Sequence, residues 1–329
     1  MSDHTDGLYP HNLKRVWIAM LLLLLIACAR PTQVDQTVSV ASPEASKPAG
    51  KAIVLGDISD DPAEVIEGTQ PLADYLAARL GEFGITEGHV VVVSNADEMI
   101  QRLERGEVDL YCDSVYPATL ISDASGAQPI LRRWRFGVEA YHSVIFASAK
   151  RGITALADLP GHMIALDNRF STSGYLLPVV TMLKQDLTLV GKASAEAPVA
   201  EDEVGFVFSY DDENTLQWVL SGRVAAGATD DYHYEVAFPP EAREKLVTLA
   251  ETESVPRQVV VAKPDMDPAL LNAIKQILTT AHEDEAAQAA LEAFQTTRFD
   301  EFPEGIKAAQ ARMREMMEIV QDIPMPEQE

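Results

Sequence analysis

The stretch Phe170-Ser171-Thr172-Ser173-Gly174-Tyr175-Leu176-Leu177-Pro178 follows a predicted strand and opens a predicted helix. The apolar run Met163–Leu166 precedes it as a short buried strand, and helical spacing follows from about Ser173 to Gln185. At such a junction the first backbone N–H groups of the helix lack partners within the helix and attract an anion. Three adjacent hydroxyl groups add donors, and Gly174 allows a ligand to approach closely. The stretch therefore predicts a site for a tetrahedral oxyanion within an α/β fold.

Two other interpretations of the hydroxyl run are weaker. An ordinary helix cap explains one hydroxyl but not the three of Ser171, Thr172 and Ser173. A nucleophilic serine needs a base, and neither a G-x-S-x-G nor an S-x-x-K arrangement surrounds these residues. Anion binding is the interpretation that uses all three side chains.

Apolar runs and helical segments alternate on the N-terminal side of this stretch. The predicted strands there are Ala52–Gly56, Val90–Val93 and Val108–Cys112. A helix is predicted from Pro71, in its first turn, to a stop at Gly81, and Asn95 is predicted to cap a second helix. Strands that alternate with helices in this way predict a parallel sheet with right-handed crossovers.

The same alternation repeats from residue 141 onward. The predicted strands are His142–Ala147, Met163–Leu166, Phe206–Phe208, Val224–Ala228, Val247–Ala250 and Val259–Ala262. The predicted helices are Ser173–Gln185, Glu213–Leu220, the segments between Pro268 and Phe294, and Gly305–Val320. The chain is therefore predicted to contain two similar α/β units in succession.

The N-terminus has the layout of a secretory signal. Lys14 and Arg15 precede twelve apolar residues, Val16 to Ala27, which are too few to span a bilayer. The run ends in Leu25-Ile26-Ala27-Cys28, which resembles the lipobox of bacterial lipoproteins, although a core helix with a chance cysteine is an alternative. The resemblance implies a signal peptide at 1–27 and an acylated Cys28. Residues 28–50 are rich in Pro, Ser and Ala and read as a flexible tether, so the protein is predicted to be exported and lipid-anchored on the periplasmic or outer face of a bacterial membrane.

Composition excludes several classes of function. Lys and Arg total 26 against 51 Asp and Glu, so the net charge of −25 repels phosphate backbones, and a nucleic-acid partner is not expected. Two cysteines are too few for a disulfide framework or a zinc ribbon.

His142 and His233 stand singly and are interpreted as structural or surface residues. With no paired acid and base, no nucleophile with its base and no metal spacing, neither enzyme activity nor a cofactor is predicted.

Several stretches together resemble the phosphate, phosphite and phosphonate-binding proteins of ABC importers. Besides Ser171–Pro178, they include Trp134–Ile145, Gly152–Gly161 and Gly222–Ala228, and the resemblance covers most of residues 51–300 in order. It implies a class II periplasmic-binding-protein fold, in which two α/β lobes with mostly parallel sheets are joined by a two-strand hinge and close on a ligand. The implied organisation places lobe 1 at 51–140 plus 252–303, lobe 2 at 141–251, and a C-terminal helix and tail at 304–329.

The resemblance also implies roles for individual residues. Ser171, Thr172, Ser173 and Gly174 would hold the oxyanion, and Tyr141 would contact it from the hinge. Asp230 would accept a hydrogen bond from a protonated ligand oxygen or pair with an amine. The lobe 1 contacts would come from the loop Tyr111-Cys112-Asp113-Ser114 and from Tyr116. The alternatives are interlobe packing for the tyrosines at 116 and 141, a strand-end turn for Asp230, and a small buried apolar role for Cys112.

The implied partners are a small oxyanion and the permease of an ABC importer, served by a monomer. Two departures leave the ligand open. Where many relatives carry Ser-His-Asp, this chain has Ser209-Tyr210-Asp211-Asp212, which leaves alkylphosphonate specificity in question. Cys112 supports a second hypothesis, a signalling receptor of the same fold that binds arsenite through its thiol and presents it to a membrane sensor kinase.

Overall fold

The structure, a computed structural model, describes residues 50–326, and in that range the chain forms two sheets of six strands each. The first sheet, with its helices, is lobe 1, and the second is lobe 2. Lobe 1 contains β1 (Lys51–Ile58), β2 (Ile85–Val93), β3 (Leu110–Asp113), β4 (Gln128–Arg135), β13 (Gln258–Ala262) and β14 (Thr296–Asp300). Lobe 2 contains β6 (Ser143–Ser148), β7 (Met163–Leu166), β8 (Thr188–Gly191), β9 (Glu203–Phe208), β10 (Ala226–Asp230) and β11 (Leu246–Glu251).

The predicted two-lobed α/β architecture is confirmed. The strand orders are β14-β4-β13-β3-β1-β2 and β11-β6-β10-β7-β9-β8. In lobe 1, β1 pairs in parallel with β2 and β3, and in lobe 2, β7 pairs in parallel with β9 and β10. The chain crosses between the lobes twice, through the short strands β5 (Ala140–Tyr141) and β12 (Val255–Pro256). These two strands pair with each other in the antiparallel direction.

Helices provide the crossovers that parallel strands require. Lobe 1 carries α1 (Pro62–Ala77), α2 (Ala96–Glu104), α3 (Val115–Ser125), α7 (Pro268–Thr280) and α8 (Gln288–Ala293). Lobe 2 carries α4 (Leu177–Leu183), α5 (Asp212–Ser221) and α6 (Pro240–Arg243). The last helix, α9 (Ile306–Val320), packs against α3 of lobe 1 and α4 of lobe 2, so it spans the outside of the lobe junction.

The predicted start of the first helix at Pro71 is wrong. Helix α1 begins at Pro62, whose fixed backbone suits the first turn, and the Asp61 side chain caps it by accepting from the backbone N–H of Glu64. Pro71 lies inside the helix, where it removes one backbone donor. Leu72 and Leu76 directly after it are buried, and this packing offsets the cost of the proline.

The prediction for the second helix is confirmed. Asn95 accepts a hydrogen bond from the backbone N–H of Glu98 at 3.0 Å and caps α2, while Met99 and Leu103 are fully buried. The predicted signal peptide at 1–27, Cys28 and nearly all of the tether at 28–50 lie outside the described residues. Within residues 50–326, no helix combines the length and the apolar character needed to cross a membrane.

Candidate ligand-binding site

A cleft of about 600 Å³ lies between the two lobes. Its lobe 1 wall comes from the residues that follow β1, β2 and β3 and from the start of α3. Its lobe 2 wall comes from the residues that follow β7 and β9. The lining residues are Ile58, Ser59, Asp60, Ser94, Asn95, Ala96, Asp113, Ser114, Pro117, Leu120, Ile121, Asp167, Asn168, Phe170, Ser171 and Tyr210. The carboxyl ends of parallel strands in α/β sheets are the usual place for a ligand, so this cleft is the candidate site.

The hydroxyl run forms the beginning of a helical segment at the cleft wall. Ser171 caps it, because its Oγ accepts from the backbone N–H of Gly174 at 2.9 Å. A single π-helical turn, Thr172–Leu176, then leads into α4. Within residues 50–326, the backbone N–H groups of Thr172 and Ser173 make no hydrogen bond. These two N–H groups therefore lack an acceptor directly after Ser171, the member of the run that lines the cleft.

Gly174 fits where no other residue can. A Cβ atom at this position would lie 2.3 Å from Cβ of Asp167, far inside van der Waals contact. The two segments are held together because the backbone N–H of Asp167 donates to the Gly174 carbonyl at 3.0 Å. Burial raises the pKa of Asp167, which stands beside the Ser171 hydroxyl. The glycine thus sets the close approach of the loop after β7 to the hydroxyl run.

Thr172 ties the two lobes together. Its side chain is 1% exposed, and its Oγ1 accepts from the backbone N–H of Tyr116 in lobe 1 at 3.1 Å. Ser143 of β6 donates to the Ser173 carbonyl at 2.7 Å. The segment that presents the free N–H groups is therefore anchored from both sides.

Tyr141 lies at the crossing between the lobes and packs against an arginine that the sequence analysis missed. The Arg257 guanidinium carbon is 4.3 Å from the centre of the Tyr141 ring. Burial raises the pKa of Tyr141 to about 12, so its hydroxyl stays protonated. Arg257 also pairs with Asp230, with 3.4 Å between Nη1 and Oδ2. Both Tyr141 and Asp230 thus contact the same buried cation.

Asp230 ends β10 and is ionised. Burial alone would raise its pKa, but hydrogen bonds from His233 and the nearby Arg257 guanidinium lower it to about 2. The hydrogen bond to Asp230 raises the pKa of His233. His233, interpreted from the sequence as a structural or surface residue, thus forms a cluster with Asp230 and Asp212.

This cluster contains atoms that can ligate a metal. One atom each from Asp212, Asp230 and His233 lie within 4.8 Å of one another. His233 Nδ1 lies 2.8 Å from Asp230 Oδ2 and 3.5 Å from Asp212 Oδ2. Hydrogen bonding accounts for the shorter distance, and Arg257 already places a positive charge beside the same Asp230 oxygen. The contacts of the buried Asp230 carboxylate with His233 and Arg257 explain this cluster, and no metal is needed for it.

The lobe 1 residues implied by the resemblance divide into two groups. Asp113 and Ser114 line the cleft, and the Ser114 N–H donates to Asp113 at 2.6 Å. Tyr111 is buried in the lobe 1 core and reaches toward the cleft only through its hydroxyl, which donates to Asp113. The Tyr116 ring lies beside α9, outside the cleft.

Cys112 lines a pocket of lobe 1 and is not among the residues that line the cleft. Its Sγ lies 3.7 Å from Nη1 of Arg133, and burial raises the pKa of the thiol despite this cation. A raised pKa keeps sulfur in the thiol form, which is the poorer metal and metalloid ligand. The environment favours the interpretation of Cys112 as a small packed side chain.

That lobe 1 pocket, about 390 Å³ in volume, adjoins the cleft and shares Ile58, Ser59 and Asp113 with it. Four of its residues were missed by the sequence analysis, namely Asp57, Arg133, Arg135 and Gln258. Burial, then the charge of Asp113, raises the pKa of Asp57 to about 6. The sequence contains a signal for three of these residues. Asp57 directly follows a predicted apolar strand, and Arg133 and Arg135 interrupt a second apolar stretch.

The comparisons with known proteins agree with this architecture. A family model described as "ABC transporter, phosphonate, periplasmic substrate-binding protein" matches residues 58–303. The chain belongs to this family. Members of the phosphonate-binding family are substrate-binding components of transporters rather than enzymes, and they are exported proteins. The predictions of the family and of a non-enzymatic role are confirmed.

Solved structures extend the comparison. XAC2383 from Xanthomonas citri, bound to chloride ion, is 30% identical with a TM-score of 0.78, covering 82% of this chain and 98% of that one. The same protein bound to ATP is 29% identical with a TM-score of 0.77, with the same coverage. PhnD1 from Prochlorococcus marinus, in complex with methylphosphonate, is 16% identical with a TM-score of 0.61, covering 82% and 98%, and shows the shared fold.

Proposed function

We propose that this protein captures a phosphorus oxyanion, whether a phosphonate, phosphate or phosphite, between its lobes and delivers it to the permease of an ABC importer. The observation that supports this most directly is the pair of unpartnered backbone N–H groups at Thr172 and Ser173, at the start of a helical segment directly after Ser171, which lines the cleft. Such groups carry partial positive charge and fit the oxygens of a phosphoryl group.

In this proposal the hydroxyl run supplies the primary contacts. The N–H groups of Thr172 and Ser173, with the Ser171 hydroxyl, hold the oxyanion, and Gly174 allows the tight turn that presents them. Asp113 and Ser114 approach from lobe 1. Asp230 acts indirectly, through its ion pair with Arg257, and Tyr141 packs against the same arginine.

The relatives support an anion as the ligand. XAC2383, which is 30% identical over most of both chains, carries chloride in one structure and ATP in another, and both are anions. We also propose that Cys28 anchors the protein to the membrane through lipid and that the protein acts as a monomer. The arsenite hypothesis gains no support from the comparisons, and the single buried Cys112 thiol argues against it.

Calorimetric titration with phosphate, phosphite, methylphosphonate and sulfate tests the proposal. At least one phosphorus oxyanion should bind more tightly than sulfate, and Ser171→Ala should weaken that binding about tenfold, the value of one hydrogen bond to a charged group. The matched control is Ser194→Ala, on lobe 2 outside the cleft. Failure of every phosphorus oxyanion to bind at millimolar concentration would overturn the proposal.

A further inference from the structure

The last described residues, 306–326, lie across both lobes and form a segment that we call the strap. The strap consists of α9 and the tail that follows it at 321–326. The buried residues of α9 are Ala309, Met313, Met316 and Val320. The helix packs against α3 of lobe 1 and α4 of lobe 2 at once. A movement that separates α3 from α4 must therefore break the packing of the strap on one of them.

An ion pair with two hydrogen bonds fixes the strap to lobe 1. Arg314 of α9 donates to both carboxylate oxygens of Asp123 on α3, at 2.8 Å from Nε and at 2.5 Å from Nη2. Two parallel hydrogen bonds between a guanidinium and a carboxylate permit only one relative orientation of the groups. Both side chains remain partly exposed, so the pair contributes little to overall stability. Its main effect is to set the position of the strap on α3.

A second arginine of α9 fixes the strap to the crossing between the lobes. Arg312 donates to Oε2 of Glu253, which lies between β11 and β12. Lys184, at the end of α4, donates to Oε1 of the same carboxylate at 3.2 Å. One carboxylate at the crossing thus links the strap to lobe 2.

The tail of the strap is fixed to the edge of the lobe 2 sheet. The backbone N–H of Gly191, the last residue of the edge strand β8, donates to the Pro324 carbonyl at 2.7 Å. The Tyr175 hydroxyl contacts Sδ of Met325 at 3.4 Å. A Cβ atom at Gly191 would lie 2.2 Å from the backbone nitrogen of Pro326, so only glycine allows this approach. The tail therefore covers a backbone group that an edge strand otherwise leaves unpaired.

We infer that the strap is a closing device, which holds the two lobes together and sets the fraction of molecules with a closed cleft before a ligand arrives. Three contacts bind the strap to lobe 2 and the crossing, whereas packing and one ion pair bind it to α3. The strap therefore leaves α3 when the lobes separate. Because the fraction of binding-competent molecules scales the apparent affinity, the strap tunes binding without contacting the ligand. The inference concerns the lobes alone and does not depend on which ligand the cleft takes.

The distance between the lobes, measured without any ligand, tests this inference. Spin labels at Gln101→Cys on α2 and Gln217→Cys on α5 occupy exposed positions on different lobes. Cys28→Ser and Cys112→Ser remove the native thiols, and pulsed electron spin resonance then gives the distribution of lobe separations.

Reversal of one charge should release the strap from α3. Asp123→Arg places two like charges at this contact, so we expect the population with the larger separation to rise about twofold to fivefold. Arg314→Asp should act in the same way, and the double exchange Asp123→Arg with Arg314→Asp should restore the original distribution. Glu292→Arg, which reverses an exposed acid of α8 in lobe 1, is the charge control. An unchanged distribution in Asp123→Arg, or one that the exchange fails to restore, would overturn the inference.

Gly191→Ala tests the anchor on lobe 2 separately. The added Cβ atom displaces the tail at Pro326 without touching α3, so the population with the larger separation should rise here as well. Gly81→Ala is the matched control, because a Cβ atom there meets nothing within 4 Å. Urea unfolding of each variant shows whether it remains folded. A folded Gly191→Ala variant with the original distribution would overturn the inference, because the strap would then not act as a link between the lobes.

Discussion

The Thr172 hydroxyl accepts a hydrogen bond from the backbone N–H of Tyr116, so the segment of lobe 2 that presents free N–H groups is joined directly to lobe 1. The bond is buried at the lobe junction, beside the hinge residue Tyr141. We expect this contact between the lobes to couple closure of the cleft to occupation of the proposed site. Thr172 therefore contributes a free backbone N–H to the hydroxyl run and, through its Oγ1, accepts the hydrogen bond between the lobes, which we call the latch.

Replacing Thr172 by valine keeps the shape of the side chain and removes the latch. The Tyr116 N–H then stays buried without a partner, at a cost of about 1–3 kcal/mol. We expect the affinity for the best phosphorus oxyanion to fall about tenfold to a hundredfold in calorimetric titration. Thr172→Ser retains the hydroxyl and should bind nearly as well as the wild type. Wild-type affinity in the valine variant would show that the latch does not contribute to binding.

A methyl group at residue 174 should disrupt the site. Its Cβ atom would overlap Asp167, so the loop after β7 must move away from the hydroxyl run. We expect Gly174→Ala to lower the free energy of unfolding by about 1–3 kcal/mol and to abolish measurable anion binding. Gly81→Ala is the control, because a Cβ atom there meets nothing within 4 Å. Normal binding by the Gly174→Ala variant would mean that the loop tolerates displacement.

The proposed lipid anchor has a direct test in the bacterium. The protein should incorporate radiolabelled palmitate and fractionate with membranes, because the sequence before Cys28 resembles a lipobox. Cys28→Ser removes the acylated side chain, so we expect it to lose the label. Cys112→Ser serves as the control and should keep it. Label that persists in the Cys28→Ser variant would disprove the anchor.

Predictions from sequence succeeded where local chemistry determines structure. Asn95 is a strong helix cap, and the run Met163–Leu166 is a strand with the bounds predicted for it, because apolar periodicity and capping act within a few residues. Pro71 misled the prediction, because proline is frequent in first turns but is also tolerated where neighbouring side chains are well packed. Helix α3 was missed altogether, since the run from Val115 is apolar on most sides and lacks an amphipathic pattern.

The candidate site was only partly predictable for a different reason. The hydroxyl run forms one continuous stretch, so its chemistry can be read from neighbouring residues. Arg257 directly follows the crossing strand β12, whereas Asp230 ends β10 of lobe 2. Only the tertiary fold brings these two residues together. The resemblance placed Tyr116 at the ligand, whereas its backbone N–H, not its ring, contacts the hydroxyl run. Side-chain direction at a lobe junction depends on packing that no local pattern encodes.

Asp57 provides a prediction about pH, because it lies one residue before the end of β1, in a pocket that disfavours its charge. Burial and the carboxylate of Asp113 raise its pKa, and the guanidinium groups of Arg133 and Arg135 oppose them only in part. The folded-state value is about 6, against 3.8 for the ordinary side chain. The folded protein therefore binds more protons than the unfolded chain between these values. The contribution of Asp57 to stability falls as pH rises through this window, and its full cost is present above about pH 6.

Asp57→Asn removes this cost while keeping the size of the side chain. We expect the free energy of unfolding at pH 7.5 to increase by about 1–3 kcal/mol, following about 1.4 kcal/mol for each unit of pKa shift. At pH 4 the wild-type side chain is already largely protonated, so the gain should disappear. Urea unfolding at the two pH values measures both quantities, and Asp60→Asn, an exposed change nearby, is the control. An increase of equal size at both pH values would show that the substitution acts through packing or hydrogen bonding rather than through the buried charge.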